Sequence, residues 1–178
     1  AHTPGLVVVT PSNAQDNYAL LSAAIACGDP VIYMEHKELW GLEGDVAADE
    51  EIALGKARVL RPGTDITLVS WSRTVHAAAE AAEQASKKGI SVELIDLRTI
   101  WPWDHDTVLA SAAKTKRLVV AHEAVRVAGF GAEIAATVAE ELGVPVKRVG
   151  GARIPVGYSR PLEDEARVSA AAIVQALG

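Results

Sequence analysis

Cysteine is almost missing from this 178-residue chain, Cys27 being the only one. An internal disulfide framework is therefore excluded, and a reducing compartment is expected. Aromatic residues are scarce too, with four Trp, three Tyr and one Phe. The core must then be built from small aliphatic side chains at close-packed density, which favours helices layered on a sheet. Apolar runs stay far below the ~20 residues that span a bilayer, so no membrane partner is expected. Positive charge is not in excess. Seventeen Lys plus Arg stand against 23 Asp plus Glu, a formal charge of −6, with the basic residues dispersed; nucleic acid is not an expected partner. AHTPGLVVVT opens with neither an initiator Met nor a basic leader, and reads as cut from something longer.

What is present is an alternation of short apolar runs and helical patterns. LVVV (6–9) has the continuous apolar character of a strand buried on both faces. Ser12 and Gln15 have capping-box spacing for a helix starting near Asn13, with Tyr18, Leu21 and Ile25 on one face. Gly28-Asp29-Pro30 stops it, and VIYM (31–34) is the next strand. Two strands make a marginal sheet, so residues 1–42 read as part of an α/β domain. Gly and acidic residues with weak periodicity mark 43–56 as a linker. From 57 to 178 a second α/β series runs through strands ITLVSW (66–71), ISVELID (90–96), RLVVAH (117–122) and VKRVG (146–150). Helices lie between, including one with Val75, Ala78, Ala79 and Ala82 on one face, a Glu83–Lys87 pair and a Gly89 stop; a last one covers about 168–177. The expected fold is α/β, a three-layer, mainly parallel sheet with right-handed crossovers.

Candidate chemistry is sparse. Cys27 sits at a helix carboxyl end beside Gly28 and Asp29, where the helix dipole and the acid oppose a thiolate; a structural thiol is the favoured reading over a nucleophile. Glu35-His36-Lys37 and His122-Glu123 each follow a strand, at the end where open α/β sheets collect ligands. His76, His105 and His122 are scattered singly, so no metal-ligand spacing appears, and Glu35-His36 reads as surface or interface polarity. Gly129-Phe130-Gly131 is a fragment of a phosphate fingerprint placed too far from its strand; glycines packing backbone closely at a helix start is the simpler reading. Trp71, Trp101 and Trp103 lie near strand ends, as interface wedges or as core. Glu163-Asp164-Glu165 reads as a solvated helix start. No catalytic centre emerges from spacing alone.

The order of segments is informative as a whole. HTPGLVVVTPSNAQD, AAIACGDPVIYMEHKELWG, IALGKARVLRPGTDITLVSWSRTVHAAAEAAE, GISVELIDLRTIWPWD, RLVVAHEAVRVAGFGAEIA and GYSRPLE together resemble the β subunit of thiamine-diphosphate-dependent 2-oxo acid dehydrogenases, from His2 to the last helix. The resemblance implies the carboxyl-terminal part of a pyrimidine-binding domain over 1–42 and a transketolase carboxyl-terminal-type domain over 57–178. It implies thiamine diphosphate and Mg2+ in a complete assembly, held with an α subunit in an α2β2 tetramer that hands acyl groups to a lipoyl acyltransferase core. The family's activating glutamate and active-site histidine motif align upstream of AHTPGL. The chain by itself is therefore expected to be inert, with no catalytic or cofactor-binding residue nominated and no tightly bound cofactor. The family often carries K+ on main-chain carbonyls in the segment aligned with AAIACGDP, which nominates the carbonyls of Ala24, Cys27 and Asp29. A helix carboxyl end does present unpaired carbonyls suited to a cation, or to water.

Pyruvate, branched-chain 2-oxo acids and acetoin remain open as substrates. Two other readings stand beside the fragment of an enzyme subunit: a docking module for a subunit or acyltransferase core, and a small enzyme using His122 and Glu123. The expected location is the bacterial cytoplasm, with the mitochondrial matrix as the alternative. The chain alone is expected to form homo-oligomers, because an incomplete sheet leaves a strand edge and apolar surface uncovered.

Overall fold

A computed structural model describes residues 1–178. Its larger unit is a five-stranded sheet in the order β3-β5-β4-β7-β8, built from β3 (Arg58–Arg61), β4 (Ile66–Ser70), β5 (Val92–Asp96), β7 (Leu118–Val125) and β8 (Val146–Gly151). All neighbours are parallel except β3, which runs antiparallel along β5. Helices α2 (Thr74–Ser86) and α6 (Ala170–Leu177) cover one face; α3 (His105–Thr115) and α4 (Gly131–Leu142) cover the other. Alternation along each strand divides the core accordingly. Ile66, Leu68, Val92 and Leu94 pack under α2 and α6, while Val69, Ile95, Leu118 and Val120 pack under α3 and α4. The helices meet the sheet through Ala78, Ala81, Ala82, Ala85 and Ala112, small enough for close approach. The buried face of α2 thus runs through Ala81 and Ala85, while Ala79, expected on it, is exposed.

The smaller unit differs from expectation. β1 (Val7–Val9) pairs in parallel with β2 (Val31–Tyr33), with α1 (Ala14–Ala26) between them in sequence. A third strand, β6 (Thr99–Trp101), then joins β1 in antiparallel register. It comes from the chain just beyond β5, so the larger series completes the smaller sheet. The expected two-strand sheet becomes a three-strand one that ties the two units together. Ser12 does not cap α1. Asn13 does, accepting from the Asp16 amide at 2.9 Å, which frees Ser12 for a contact across the units. Tyr18, Leu21 and Ile25 do share a face of α1, and it faces out: the buried side is Asp16, Ala19, Leu20 and Ala24. The stretch read as a linker is docked, with Ile52 in the small core and Gln15 bonding the Ala47 backbone in both directions.

Candidate functional site

From β4 the chain winds first to β5 on one side and later to β7 on the other. The reversal lies between β4 and β7, and in open α/β sheets the crevice outside the strand ends at such a point is where ligands bind. A cavity of about 310 Å³ lies here, lined by Trp71, Ser72 and Thr74 beyond β4, Glu123 on β7, and Glu35 and His36 beyond β2. The two acid–histidine pairs singled out in the sequence therefore meet across the units, His36 Nε2 standing 2.9 Å from Glu123 Oε2. Next to them Glu38 is gripped by Arg73 and by Arg167, the latter at 2.6 Å, and Arg167 also holds Glu163 at 2.8 Å. Partial desolvation works to raise the Glu38 pKa, but hydrogen bonds from Arg167 and Arg73 outweigh it and hold the carboxyl below its ordinary value. Both contacts fasten the turn Lys37–Leu39 to the larger unit.

A second polar cluster lies buried where α1 meets the ends of β5 and β6. The Ser12 hydroxyl donates to Asp96 Oδ2 at 2.5 Å, and the Arg98 amide donates to Asp96 Oδ1 at 3.0 Å. Arg98 Nη2 donates to Asp16 Oδ1 at 2.8 Å; His76 Nε2 lies 2.8 Å from the Ser12 carbonyl. Burial pushes the Asp96 pKa up to about 7 and the Asp16 charge adds to this, against the opposing Ser12 and Arg98 contacts. These residues were not singled out in the sequence. The available signal was IDLR itself, an acid and a guanidinium at the end of a buried apolar strand, which must find partners.

His122 is fully buried, stacked on Trp71 with ring centroids 5.0 Å apart, and neither ring nitrogen has a hydrogen-bond partner. Burial lowers its pKa and the Arg148 charge adds to that; the Ala124 backbone opposes the shift from outside hydrogen-bonding geometry. Gly129-Phe130-Gly131 gains its meaning here. A Cβ on Gly131 would stand 2.5 Å from His122 Cδ2, and one on Gly129 would stand 2.7 Å from His122 Cε1. At Gly129 the nearest neighbour is the Val125 carbonyl, 2.4 Å from such a Cβ, which is the close backbone packing that the sequence suggested; at Gly131 the room is made for the imidazole. His122 and Glu123 part company in the fold: one is inside the core, the other on the crevice.

Of the three tryptophans near strand ends, Trp71 is core and crevice wall, Trp103 is half-buried against Phe130, and Trp101 is exposed, at 44 %. At the end of α1, the Cys27 thiol donates to the Ala24 carbonyl at 3.2 Å and approaches the Asp29 carbonyl at 3.7 Å. Two of the three nominated carbonyls are thus neighbours of the Cys27 thiol itself. No three His, Cys, Asp or Glu side chains gather as a metal site, and no helix is long and apolar enough to cross a membrane.

The chain is 44 % identical to the rice (Oryza sativa subsp. japonica) pyruvate dehydrogenase E1 component subunit beta-2, mitochondrial, over 92 % of its own length and 46 % of that protein. It is 45 % identical to the 2-oxoisovalerate dehydrogenase subunit beta, mitochondrial, of Dictyostelium discoideum, over 86 % of its length and 44 % of the relative. It is 43 % identical to the acetoin:2,6-dichlorophenolindophenol oxidoreductase subunit beta of Cupriavidus necator, over 98 % and 53 %. The chain spans about half the length of these curated relatives. Among solved structures, a split-gene transketolase described as an inactive β4 tetramer superposes with a TM-score of 0.86 at 26 % identity, covering 99 % of this chain and 57 % of that one. Residues 55–173, which hold β3 to β8 and the first half of α6, match the family described as transketolase, C-terminal domain, and the chain belongs to that family.

Proposed function

We propose that this chain serves as the carboxyl-terminal portion of the β subunit of a thiamine-diphosphate-dependent 2-oxo acid dehydrogenase, catalytically inert alone. What supports this is the run of β-subunit relatives along almost its whole length, whose names divide among pyruvate, 2-oxoisovalerate and acetoin enzymes. An α subunit, a second β subunit and a lipoyl acyltransferase core are the partners this role requires. Bacterial as well as mitochondrial relatives, together with the unpaired Cys27, fit a bacterial cytoplasmic location.

The residues present do not fit thiamine diphosphate with its Mg2+. No carboxylate cluster stands ready for a metal, and the buried acids Asp16 and Asp96 are already committed to Arg98 and Ser12. What these residues do is frame a site: the His36–Glu123 and Glu38–Arg167 contacts fix the two units around the crevice. Calorimetric titration of thiamine diphosphate and Mg2+ into the isolated chain is expected to show no binding; a micromolar association would contradict the framing role.

The carbonyls of Ala24 and Asp29, both beside the Cys27 thiol at the end of α1, supply oxygen ligands of the kind that K+ takes, as half of a cage. In that role Cys27 supplies its backbone, and Cys27→Ser leaves the site intact. A KCl-dependent rise in melting temperature, absent in LiCl and retained in Cys27→Ser, is the expected result. Identical melting in the two salts would remove the cation from the account.

A further inference from the structure

A surface well away from α1 has unusual composition. Residues 143–162 hold Lys147, Arg148, Arg153 and Arg160 and no Asp or Glu, in a chain of formal charge −6. The same stretch exposes Ile154, Val156, Tyr158 and Leu162. Tyr158 is as open as in an extended chain, at 104 %, and Val156 is 68 % exposed. Burying such side chains is favourable, so a group of them left in water within a basic rim marks an interaction surface.

The segment is held in place at both ends. At the end of β8, the Arg126 amide donates to the Gly151 carbonyl at 3.0 Å, and Arg148 Nη1 donates to the Arg126 carbonyl at 3.0 Å. This brings the exposed Val125 and Val127 of the neighbouring loop alongside. At the other end Gly157 lies against α5 (Arg160–Ala166), where an added Cβ would meet the Leu162 Cβ at 2.4 Å. The result is a ridge from the end of β7 to α5, with alternate positions 154, 156 and 158 apolar and Arg126, Arg153 and Arg160 along it.

A fitting partner brings apolar side chains and negative charge together. Nucleic acid and anionic lipid present continuous negative charge, which Glu163-Asp164-Glu165 at the border of the ridge opposes. A polypeptide with spaced carboxylates avoids that conflict. We propose that this ridge docks an acidic peptide segment of a partner protein, with apolar side chains on Val156, Tyr158 and Leu162 and carboxylates on Arg153 and Arg160. The inference goes beyond the β-subunit role and does not depend on it, since neither cofactor nor substrate enters.

Fluorescence anisotropy on the 178-residue chain tests it, using a dye-labelled short peptide of alternating Glu and Leu, the same peptide with Lys in place of Glu, and vesicles of phosphatidylcholine containing phosphatidylserine. The Glu–Leu peptide is expected to bind at micromolar concentration and the Lys–Leu peptide about tenfold more weakly or worse. Arg153→Glu with Arg160→Glu, and separately Val156→Ser with Tyr158→Ser, should each weaken the Glu–Leu peptide by about tenfold while the circular dichroism spectrum is unchanged. Lys88→Glu, on an exposed lysine outside the segment, should leave binding as it was. Equal binding of both peptides, no binding of the acidic one, indifference to either double substitution, or tighter binding to the vesicles would overturn it.

Discussion

Asp96 is a carboxyl group with no access to water, beside a second buried acid and with one guanidinium nearby. Burial lifts its pKa from 3.8 to about 7, so the folded chain holds this proton more tightly than the unfolded chain does. The resulting stabilisation is complete below about pH 4 and is lost as pH rises through about 7. His122 runs the other way: burial lowers its pKa, and its contribution is lost as pH falls. The difference between two proteins therefore isolates Asp96 better than a single curve does. Asp96→Asn keeps a neutral group in place and is expected to be insensitive to this titration. Between pH 4 and pH 7, the unfolding free energy of the native chain should fall relative to that of the variant by roughly 2–4 kcal/mol. Parallel urea-denaturation profiles across that range would show that Asp96 is ionised in the fold at all these pH values.

The elements are joined by pairs that cross between units. Arg98, just beyond β5, reaches Asp16 on α1, its carbonyl accepts from the Thr10 amide at 2.8 Å, and the next residue starts β6. Removing one member of a buried pair costs about 3–5 kcal/mol where the other charge is left uncompensated; Asp16 keeps Arg58 Nη1 at 3.8 Å and the Asn13 side-chain amide at 2.7 Å, which brings the expected cost here to about 2–3 kcal/mol. Arg98→Ala is accordingly expected to lower unfolding free energy by that amount, with the small sheet most affected in hydrogen exchange; a loss below about 1 kcal/mol would mean the units are held by the strands alone. The main elements could be read from the sequence where pattern and burial coincide, as in LVVV, ITLVSW and ISVELID, or where a stop is chemically required, as at Gly89 with φ +80. β3 could not, because RVLR is an edge strand of mostly exposed residues with no buried face to impose a period. β6 is three residues beside a proline, and its pairing with β1 depends on chain brought back from beyond β5. The crevice was half legible: the strand-end positions of Glu35-His36 and His122-Glu123 could be seen. That His36 would pair with Glu123, and that His122 would turn inward onto Trp71, depends on strand order and on which face each residue takes.

At the scale of the molecule, apolar surface remains to be covered. Tyr18, Leu21, Ile25 and Trp40 line a groove of about 510 Å³ on α1, and β2 is an open edge of its sheet. Exposed apolar surface and unpaired strand edges both seek partners. Light scattering is expected to give a dimer or larger species for the isolated chain, with Leu21→Glu and Trp40→Glu shifting it toward monomer. A strictly monomeric mass at every concentration would show the groove to be inert in the free chain. The assignment to a β subunit is tested by replacing the matching half of the Staphylococcus epidermidis pyruvate dehydrogenase β subunit, to which the chain is 46 % identical, with these residues. The hybrid is co-expressed with its α subunit and assayed with pyruvate, a branched-chain 2-oxo acid and acetoin. The account predicts an assembled complex that turns over at least one of the three in a thiamine-diphosphate-dependent reaction, whereas a folded, assembled hybrid inactive on all three would contradict it.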